Sequence, residues 1–451
     1  MDQQEFRTTG HQLVDWIADY LEHAERYPVL AQVAPGEIRA RLPAAAPEDG
    51  EPLERILRDF QQIILPGVTH WNHPRFFAYF PANNSGPSIL GEMLSAALGI
   101  NGMLWQTCPA ATELEEQVME WLRKLLELPE GFRGVIQDTA STSTIVALIC
   151  ARERLTDHAV GQRGVAAGAG DAPLRIYTST EGHSSVEKGA KLLGFGAEHV
   201  VPIAVDDALA MDPIALRRQI AADRTHGRRP CAIVATVGTT SSTALDPLEP
   251  IGRIAAQERI WLHVDAALAG SAAILPERRA ILAGIERADS FVFNPHKWLF
   301  TNFDCSAYFT RDVETLTRAM AITPEYLKTA RDAEVTNFRD WGIPLGRRFR
   351  ALKLWFVLRS FGAEGLRARL REHLRLADLF RQWVDQSEQF ERLAPVPLNT
   401  ICFRFRPPAA SAAPPTEAEL ERLNQTLMTR VNASGRVYLT HTRLRERFAL
   451  R

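Results

Sequence analysis

The sequence predicts an α/β protein built on a mainly parallel sheet of seven strands that is covered by helices. From about residue 86 to residue 345, short apolar runs rich in β-branched and aromatic residues alternate with helical patterns. These runs are continuously apolar, which is typical of parallel strands buried on both faces. We expect residues 1–85 to form an N-terminal helical segment and residues 346–451 to form a small C-terminal α+β domain.

The first 85 residues carry two amphipathic helix patterns and no strand pattern. The second of these patterns covers about Pro52 to Ile64. The first has Thr8 or Thr9 as its candidate N-cap, and its apolar residues recur at roughly helical spacing at Phe6, Leu13, Val14, Ile17, Tyr20 and Leu21. Because no nearby strand can cover these apolar faces, we expect residues 1–85 to act as a dimerisation segment.

The central region contains seven strand patterns, and helix signals separate several of them. Asp212 followed by Pro213 predicts a helix start, and a helix from Ser184 to Leu193 is predicted to end at Gly194. The predicted strands are Gly134–Gln137, Leu174–Thr178, Val200–Val205, Cys231–Val237, Ile260–Val264, Ser290–Phe293 and Ser306–Phe309. In sheets of this kind, ligands bind beyond the carboxyl ends of the strands.

The region after residue 346 differs in character from the central region. A long helical pattern begins at Arg347, and short strand patterns follow it. The final residues, Arg447–Arg451, predict a strand that is not followed by a closing helix. This ending suggests that the small domain is truncated.

The bulk composition argues against several functional classes. A formal net charge of −2 over 451 residues provides no basic surface for nucleic acid or an anionic membrane. The five cysteines form no CxxC pair, which argues against a zinc site or a disulfide framework. No run reaches the roughly 18 apolar residues of a membrane span, and the N-terminus lacks the features of a secretory signal. We therefore expect a cytoplasmic protein with no nucleic-acid or membrane partner.

The stretch Ser290–Trp298 places a lysine directly after a buried strand. The apolar run stops at an Asn-Pro turn, and Lys297 follows two residues later. Burial lowers the pKa of a lysine, and a neutral lysine amine is a nucleophile whose natural covalent partner is an aldehyde. The aldehyde that enzymes most often hold in this way is pyridoxal phosphate. The alternative is an ordinary surface lysine after a turn.

Further polar residues follow other strands of the predicted sheet. Because the carboxyl ends of parallel strands meet at one edge, we expect these residues to converge on one crevice with Lys297. They are Thr139 and Ser141 after the first strand, His183 after the second, Thr239 and Thr240 after the fourth, and Asp265 after the fifth.

Each of these residue types suits one part of a pyridoxal phosphate site. Hydroxyls and amides at a helix start, as in Asp138–Thr144, suit a phosphate, although a Ser/Thr-rich N-cap is the alternative. Asp265 suits the ring nitrogen, but it could instead sit in a turn or share a metal with His263. No third metal ligand is evident nearby, so we expect no metal. His183 could stack on the ring, although a lone histidine is more often structural.

Taken together, the sequence resembles the pyridoxal-phosphate-dependent group II decarboxylases of the aromatic-L-amino-acid decarboxylase family. The resemblance runs from about residue 5 to the final residue and implies a fold-type I structure and a homodimer with active sites near its interface. The stretches that carry it are PRFFAYFPANNS, PAATELEEQVMEWL, GVIQDTASTSTIVAL, GHSSVEK, ATVGTTSSTALDPL, WLHVDAALAGSAAILPE, DSFVFNPHKWLFTNFDCSAY and WGIPLGRRFRALKLWF.

The resemblance implies a role for each candidate cofactor residue. Lys297 would be linked covalently to pyridoxal 5'-phosphate, Asp265 would bind the pyridine nitrogen and His183 would stack on the ring. Thr240 would contact the ring region. The residues that would hold the phosphate are Ala140, Ser141, Asn294 and His296.

The resemblance also concerns the reaction that follows cofactor binding. Tyr326 matches a tyrosine on the family's mobile catalytic loop, which protonates the carbanion carbon. Relatives that produce aldehydes tend to carry Phe at the tyrosine position or Asn at the histidine position. This chain has Tyr326 and His183, so plain decarboxylation is favoured.

The substrate pocket implied by the resemblance is aromatic. Trp71, Tyr79, Phe80 and Pro81 match the family's pocket, and Gly346 matches relatives that accept large aromatic rings. Three further pocket positions differ from animal enzymes: Ala82 replaces a threonine, and Asn101 and Met103 replace an Ile and a Phe that reach across the dimer.

The expected function is therefore decarboxylation of an aromatic L-amino acid, such as tryptophan, DOPA, tyrosine or phenylalanine, to the arylalkylamine and carbon dioxide. One alternative is other chemistry on the same cofactor, by an aromatic aldehyde synthase or an aminotransferase. A second alternative is a cofactor-binding protein that is inactive through C-terminal truncation. A metal-binding protein that uses His263 and Asp265 is a more distant alternative.

Overall fold

The computed structural model of the chain describes residues 1–170, 172–408 and 414–451. Its helices, numbered in chain order, are α1 Gln3–Glu22, α2 Glu37–Arg41, α3 Leu53–Asp59, α4 Gly86–Leu98, α5 Pro109–Leu125, α6 Ala140–Leu155, α7 Ala159–Gly168, α8 Ser185–Leu192, α9 Pro213–Thr225, α10 Leu248–Glu258, α11 Pro295–Trp298, α12 Val313–Met320, α13 Arg350–Gln386 and α14 Glu417–Ala433. Its strands are β1 Arg133–Gln137, β2 Leu174–Ser179, β3 Val200–Ile203, β4 Arg229–Thr236, β5 Trp261–Asp265, β6 Ser290–Phe293, β7 Ser306–Thr310, β8 Phe390–Arg392, β9 Phe403–Phe405, β10 His441–Leu444 and β11 Arg447–Leu450.

The chain divides into two compact units, each formed by more than one segment. The α/β unit comprises Ala82–Gln386 and Ala394–Ile401. The α+β unit comprises Met1–Pro81, Ser387–Leu393 and Cys402–Arg451. The division into three consecutive parts at residues 85 and 345, and the dimerisation role of the first part, stay predictions. In the part of the chain that the structure describes, no helix is both long and apolar enough to cross a membrane.

The α/β unit contains the mainly parallel seven-stranded sheet that the sequence predicts. Its strand order is β1-β7-β6-β5-β4-β2-β3. All neighbours pair in parallel except β7, which is antiparallel to both β1 and β6. Every residue of β5 and β6 is buried, as expected for central strands covered by helices on both faces. The carboxyl ends of six strands therefore meet at one edge of the sheet.

Local signals account for several helix boundaries in the α/β unit. Asp212 caps α9 by accepting a hydrogen bond from the amide of Ile214, and Pro213 takes the first helical position, as predicted. Gly194 has a φ of +78°, which suits its predicted place after the end of α8. In the middle of α13, Gly362 has a φ of +63° and breaks the regular helix.

The α+β unit contains the N-terminal helices and a four-stranded antiparallel sheet in the order β10-β11-β9-β8. Asn424 is fully buried and fastens α14 to β9, because its side chain exchanges hydrogen bonds with both backbone groups of Phe405 at 2.7 and 2.9 Å. The N-cap predicted for α1 was wrong. Thr8 and Thr9 lie inside α1, which begins earlier because Asp2 accepts a hydrogen bond from the amide of Glu5 at 2.7 Å.

Candidate active site

Asp265 and Lys297 lie after the central strands of the α/β unit. Asp265 is the last residue of β5, is only 5 % exposed, and pairs in register with Thr236 of β4 and Val292 of β6. Lys297 is half-buried in the short helix α11, four residues beyond the end of β6. Asp265 at the end of β5 and Lys297 shortly after the end of β6 therefore follow neighbouring strands at the edge that the sequence predicts.

The side chain of Asp265 is held in place by a local turn. The amide of Ala267 donates to its Oδ1 at 3.0 Å. A buried carboxylate is costly unless a cation or hydrogen-bond donor compensates it. This site is therefore suited to a positively charged or N–H-bearing ligand group.

His183 lies within electrostatic range of both Asp265 and Lys297. Burial lowers the pKa of His183, the Asp265 carboxylate opposes that shift, and the Lys297 ammonium reinforces it. Nδ1 of His183 accepts a hydrogen bond from the amide of Ser185 at 3.1 Å. The neutral ring therefore carries its proton on Nε2. The structure thus brings together the three residues to which the sequence assigned the cofactor ring.

His296 and Asn294 provide buried polar groups beside Lys297. Burial, followed by the Lys297 ammonium, lowers the pKa of His296 to about 3, so its ring is neutral. Its Nδ1 accepts a hydrogen bond from the amide of Cys305 at 2.9 Å, which leaves Nε2–H as a donor. Oδ1 of Asn294 is buried and has no hydrogen-bond partner among the described residues.

The start of α6 supplies a group of amides and hydroxyls at the end of β1. Thr139 is the N-cap, and its Oγ1 accepts a hydrogen bond from the amide of Thr142 at 3.3 Å. Ala140 is buried, and the side chains of Thr139 and Ser141 are half-buried. The first amides of a helix lack intrahelical partners, and the helix dipole favours an anion there. This helix start is therefore suited to a phosphate.

The turn after β4 contains two adjacent threonines in different environments. Thr239 is fully buried and accepts a hydrogen bond from the amide of Ala244 at 3.0 Å, whereas Thr240 is exposed. Asp246, which the sequence analysis missed, braces this turn by accepting hydrogen bonds from the amides of Met211 and Thr236, both at 2.7 Å. Burial raises the pKa of Asp246 to about 7. The only sequence signal for it was its position before a proline.

These groups fit pyridoxal phosphate. The helix start of α6 and the neutral Nε2–H of His296 suit a phosphate, and Asp265 suits a protonated ring nitrogen. Oγ of Ser179, at the end of β2, is a second buried atom at this edge without a hydrogen-bond partner among the described residues. Buried polar atoms are normally satisfied, so a polar ligand at this edge accounts for them.

The alternative of a metal shared by His263 and Asp265 gains no support from the surrounding residues. His263 is fully buried in β5, and its Nδ1 lies 2.9 Å from Oγ of Ser290. Within residues 1–170, 172–408 and 414–451, no group of three or more His, Cys, Asp or Glu side chains could hold a metal ion.

Three of the predicted pocket residues lie close together in the α/β unit. Oδ1 of Asn101 accepts a hydrogen bond from the amide of Arg347 at 2.9 Å, and a Cβ atom on Gly346 would lie 3.5 Å from Nδ2 of Asn101. The carbonyl of Met103 accepts a hydrogen bond from the amide of Arg339 at 3.0 Å. Ala82 is half-buried at the start of the same unit.

The other predicted pocket residues lie in the α+β unit, where they form an aromatic group. The rings of Trp71 and Tyr79 are stacked with centroids 5.8 Å apart, and the guanidinium of Arg451 lies 4.7 Å from the ring of Phe80. Pro81 is half-buried. Tyr438, which the sequence analysis missed, donates its hydroxyl to that of Tyr79 at 3.3 Å. No local pattern marks Tyr438, because its contact spans most of the chain.

Tyr326 lies on the segment after α12 and its side chain is 77 % exposed. The catalytic role of Tyr326 stays a prediction.

Comparison with known proteins shows similarity over the whole chain. The profile of the pyridoxal-dependent decarboxylase conserved domain matches residues 35–406. The chain is 44 % identical to phenylacetaldehyde synthase of Arabidopsis thaliana, covering 100 % of this chain and 92 % of that protein. It is 43 % identical to aromatic-L-amino-acid decarboxylase of Rattus norvegicus, covering 100 % and 93 %. The crystal structure of Oryza sativa TDC with PLP and tryptamine superposes with a TM-score of 0.95 at 38 % identity, covering 100 % of this chain and 93 % of that chain.

Proposed function

Because this chain belongs to the pyridoxal-dependent decarboxylase family and is a pyridoxal-phosphate-dependent carboxy-lyase of fold type I, we propose that its substrate is an aromatic L-amino acid. The products are the arylalkylamine and carbon dioxide. The grouping of Asp265, His183 and Lys297 at the carboxyl ends of the parallel strands supports the cofactor chemistry, and the observation that carries the aromatic substrate is the group of aromatic side chains that includes Trp71 and Tyr79. The names of the relatives, which include decarboxylases of aromatic amino acids, support the aromatic substrate.

When bound, pyridoxal phosphate supplies an aldehyde for the substrate's amino group and a ring that accepts the electrons of the broken bond. Lys297 is the residue that would hold it covalently. The Asp265 carboxylate would keep the ring nitrogen protonated, because a buried anion favours a positive charge beside it. His183 would lie against the ring, and Thr240 would contact the ring region.

The phosphate of the cofactor would be held by neutral donors and by a helix start. The amides and hydroxyls at the start of α6 offer N–H and O–H groups, and His296 offers Nε2–H without adding a positive charge. The residues that would form this subsite are Thr139, Ala140, Ser141, Asn294 and His296.

The residues around the substrate would select the bond that breaks and return a proton. The aromatic side chains of Trp71, Tyr79 and Phe80, with Pro81, suit an aromatic ring. The remaining residues of the proposed pocket are Ala82, Asn101, Met103 and Gly346. Tyr326 would donate its hydroxyl proton to the carbon that lost its carboxyl group.

A panel of amino acids tests this proposal. The purified, cofactor-loaded protein is incubated with tryptophan, DOPA, tyrosine, phenylalanine, histidine and glutamate, and both amine and carbon dioxide are measured. We expect equal amounts of amine and carbon dioxide from at least one aromatic substrate and none from glutamate. Turnover of glutamate alone would contradict the aromatic assignment.

An aldehyde synthase is the second candidate, because phenylacetaldehyde synthase of Arabidopsis thaliana is 44 % identical to this chain. Forming an aldehyde from an amino acid is an oxidation that consumes one oxygen and one water molecule per turnover and releases the aldehyde, carbon dioxide, ammonia and hydrogen peroxide. An oxygen electrode and aldehyde chromatography on the same reactions separate the two candidates. Oxygen uptake equal to the carbon dioxide released would favour the aldehyde synthase.

We further propose that the chain acts as a cytoplasmic homodimer. The amphipathic α1 exposes Phe6, Leu13 and Val14, which is compatible with burial against a second subunit. Sedimentation equilibrium of the cofactor-loaded protein tests the dimer, and a monomeric mass at micromolar concentration would contradict it.

A further inference from the structure

The carboxylate of Asp332 organises the segment that follows Tyr326. Its Oδ1 accepts hydrogen bonds from Oγ1 of Thr329 at 2.5 Å and from Nδ2 of Asn337 at 3.0 Å. Its Oδ2 accepts a hydrogen bond from the amide of Thr329 at 3.2 Å. The hydrogen bond from the Thr329 hydroxyl is the main cause that lowers the pKa of Asp332, so this carboxylate is charged at neutral pH.

Arg339 connects Asp332 to the backbone beside Tyr326. Its Nη2 lies 3.4 Å from Oδ2 of Asp332, and its Nη1 donates to the carbonyl of Leu327. The Arg339 side chain is 4 % exposed and Leu327 is 3 % exposed, so the hydrogen bond between them is shielded from water, whereas the Asp332 side chain is 31 % exposed and partly solvated. The charge-assisted hydrogen bond from Arg339 to Leu327 is therefore stronger than an exposed one.

The far end of the same segment is anchored to the predicted pocket region. The amide of Arg339 donates to the carbonyl of Met103 at 3.0 Å, and Oδ1 of Asn337 accepts from the amide of Trp105 at 3.1 Å. Tyr326, in contrast, is 77 % exposed. We call residues 323–337 the Tyr326 loop. The C-terminal end of this loop is held by the hydrogen bond between Asn337 and Trp105. Asp332 connects that end, through Asn337 and Arg339, to the backbone next to Tyr326.

We propose that Asp332 is a positioning residue that sets the conformation from which Tyr326 delivers its proton. This inference rests on the proposed function, because it concerns the proton that Tyr326 would return to the substrate carbon. A displacement of about 1 Å in a reacting group can cost about 100-fold in rate. Three hydrogen bonds and one ion pair at Asp332 oppose such a displacement of the Tyr326 loop.

The test compares Asp332→Ala and Asp332→Asn with Glu334→Ala. Glu334 is a matched control, since its carboxylate lies two residues further along, is 66 % exposed, and lies 3.7 Å from Arg331. Three quantities are measured: the ratio of amine to aldehyde, kcat and KM separately, and the rate of trypsin cleavage after Lys328, which is not adjacent to the substituted residue. The cleavage rate reports loop conformation independently of catalysis.

For Asp332→Ala we expect a kcat about 100-fold lower with little change in KM, more aldehyde, and faster cleavage of the Tyr326 loop. Asp332→Asn keeps one acceptor oxygen and loses the charge that faces Arg339, so it should be intermediate. Glu334→Ala should behave as wild type in the ratio of amine to aldehyde and in kcat.

Two results would overturn the inference while leaving the proposed function intact. The first is that Asp332→Ala has the amine fraction and the cleavage rate of the wild type, whereas Tyr326→Phe shifts the product from amine toward aldehyde. The other is loss of the visible absorption of bound cofactor in Asp332→Ala, which would locate its defect in cofactor binding. If Tyr326→Phe also gave the amine fraction of the wild type, both the inference and the proposed role of Tyr326 in the proton step would be wrong.

Discussion

Gly91 of α4 lies directly against the backbone of Lys353 in α13. A Cβ atom at Gly91 would lie 2.7 Å from the Cα atom of Lys353 and 3.2 Å from its amide nitrogen. Lys353 is itself fully buried, and its Nζ lies 2.9 Å from Oε2 of Glu92. Burial lowers the pKa of Lys353 to about 8. The close approach of these two helices therefore depends on a glycine, and it is accompanied by an ion pair between a buried lysine and a half-buried glutamate.

Gly91→Ala should destabilise the protein by roughly 1–3 kcal/mol, because backbone atoms of α13 cannot move aside as a flexible side chain can. Gly86→Ala in the same helix is the matched control, since a Cβ atom there would meet nothing within 4 Å. Urea unfolding of both cofactor-loaded variants measures the difference. Equal midpoints for the two variants would show that the helices can separate at little cost.

Lys297→Ala should abolish the visible absorption band of the covalently held cofactor, because no other amine is proposed to form that bond. Lys191→Ala, which removes an exposed lysine of α8 that pairs with Glu187, should leave the band unchanged. Absorption spectra of both variants after dialysis against pyridoxal phosphate provide the measurement. A normal band in Lys297→Ala would refute the assignment.

Asp265→Ala should lower kcat by about 100-fold or more, by analogy with the loss of a preorganised electrostatic group. Asp265→Asn is the informative companion, since its side-chain oxygen can still accept the hydrogen bond from the amide of Ala267 while the charge is lost. If the charge is what matters, both variants should be similarly slow. Near-native turnover in Asp265→Asn would contradict the ring-nitrogen role.

Tyr326→Phe should shift the product from amine toward aldehyde, because the hydroxyl proton that completes the amine is removed while the aromatic ring is kept. Chromatography of amine and aldehyde in the same reaction measures the shift. An unchanged amine yield would remove Tyr326 from the proton step.

Acid should destabilise the folded protein in part through His263. Burial lowers its pKa to about 4, so between its unfolded value of about 6.5 and that folded value the unfolded chain binds a proton that the folded chain excludes. Stability then falls with decreasing pH by up to about 1.4 kcal/mol per pH unit for this group.

His263→Gln should therefore reduce the loss of stability between about pH 7 and pH 5, the range in which histidine titrates. His11→Gln, at an exposed position of α1, is the control and should leave the loss unchanged. Urea midpoints across this range test the prediction. Parallel wild-type and His263→Gln curves would assign the acid sensitivity to other groups, of which the equally buried His296 is the next candidate.

Much of the α/β unit could be predicted from local sequence patterns. Continuous apolar runs indicated buried strands, and the positions of Asp265 and Lys297 after such runs indicated the edge of the sheet where they lie. Asp212 was recognised as an N-cap because the residues that define a helix start are adjacent in the chain. The N-cap of α1 was predicted wrongly because the side-chain oxygens of Thr8 and Thr9, like that of Asp2, can accept a hydrogen bond from an amide at a helix start.

By itself the sequence determined the mainly parallel sheet and the positions of Lys297, Asp265 and His183 after its strands, from which their chemistry is proposed, since both depend on patterns a few residues long. Only the tertiary structure decided that β7 runs antiparallel between β1 and β6, that Asp246 braces the turn after β4, and that Tyr438 contacts Tyr79. Each of these depends on contacts between residues far apart in the chain. The physical reason is that burial and hydrogen bonding are set by which distant segments pack together, and no local pattern records that choice.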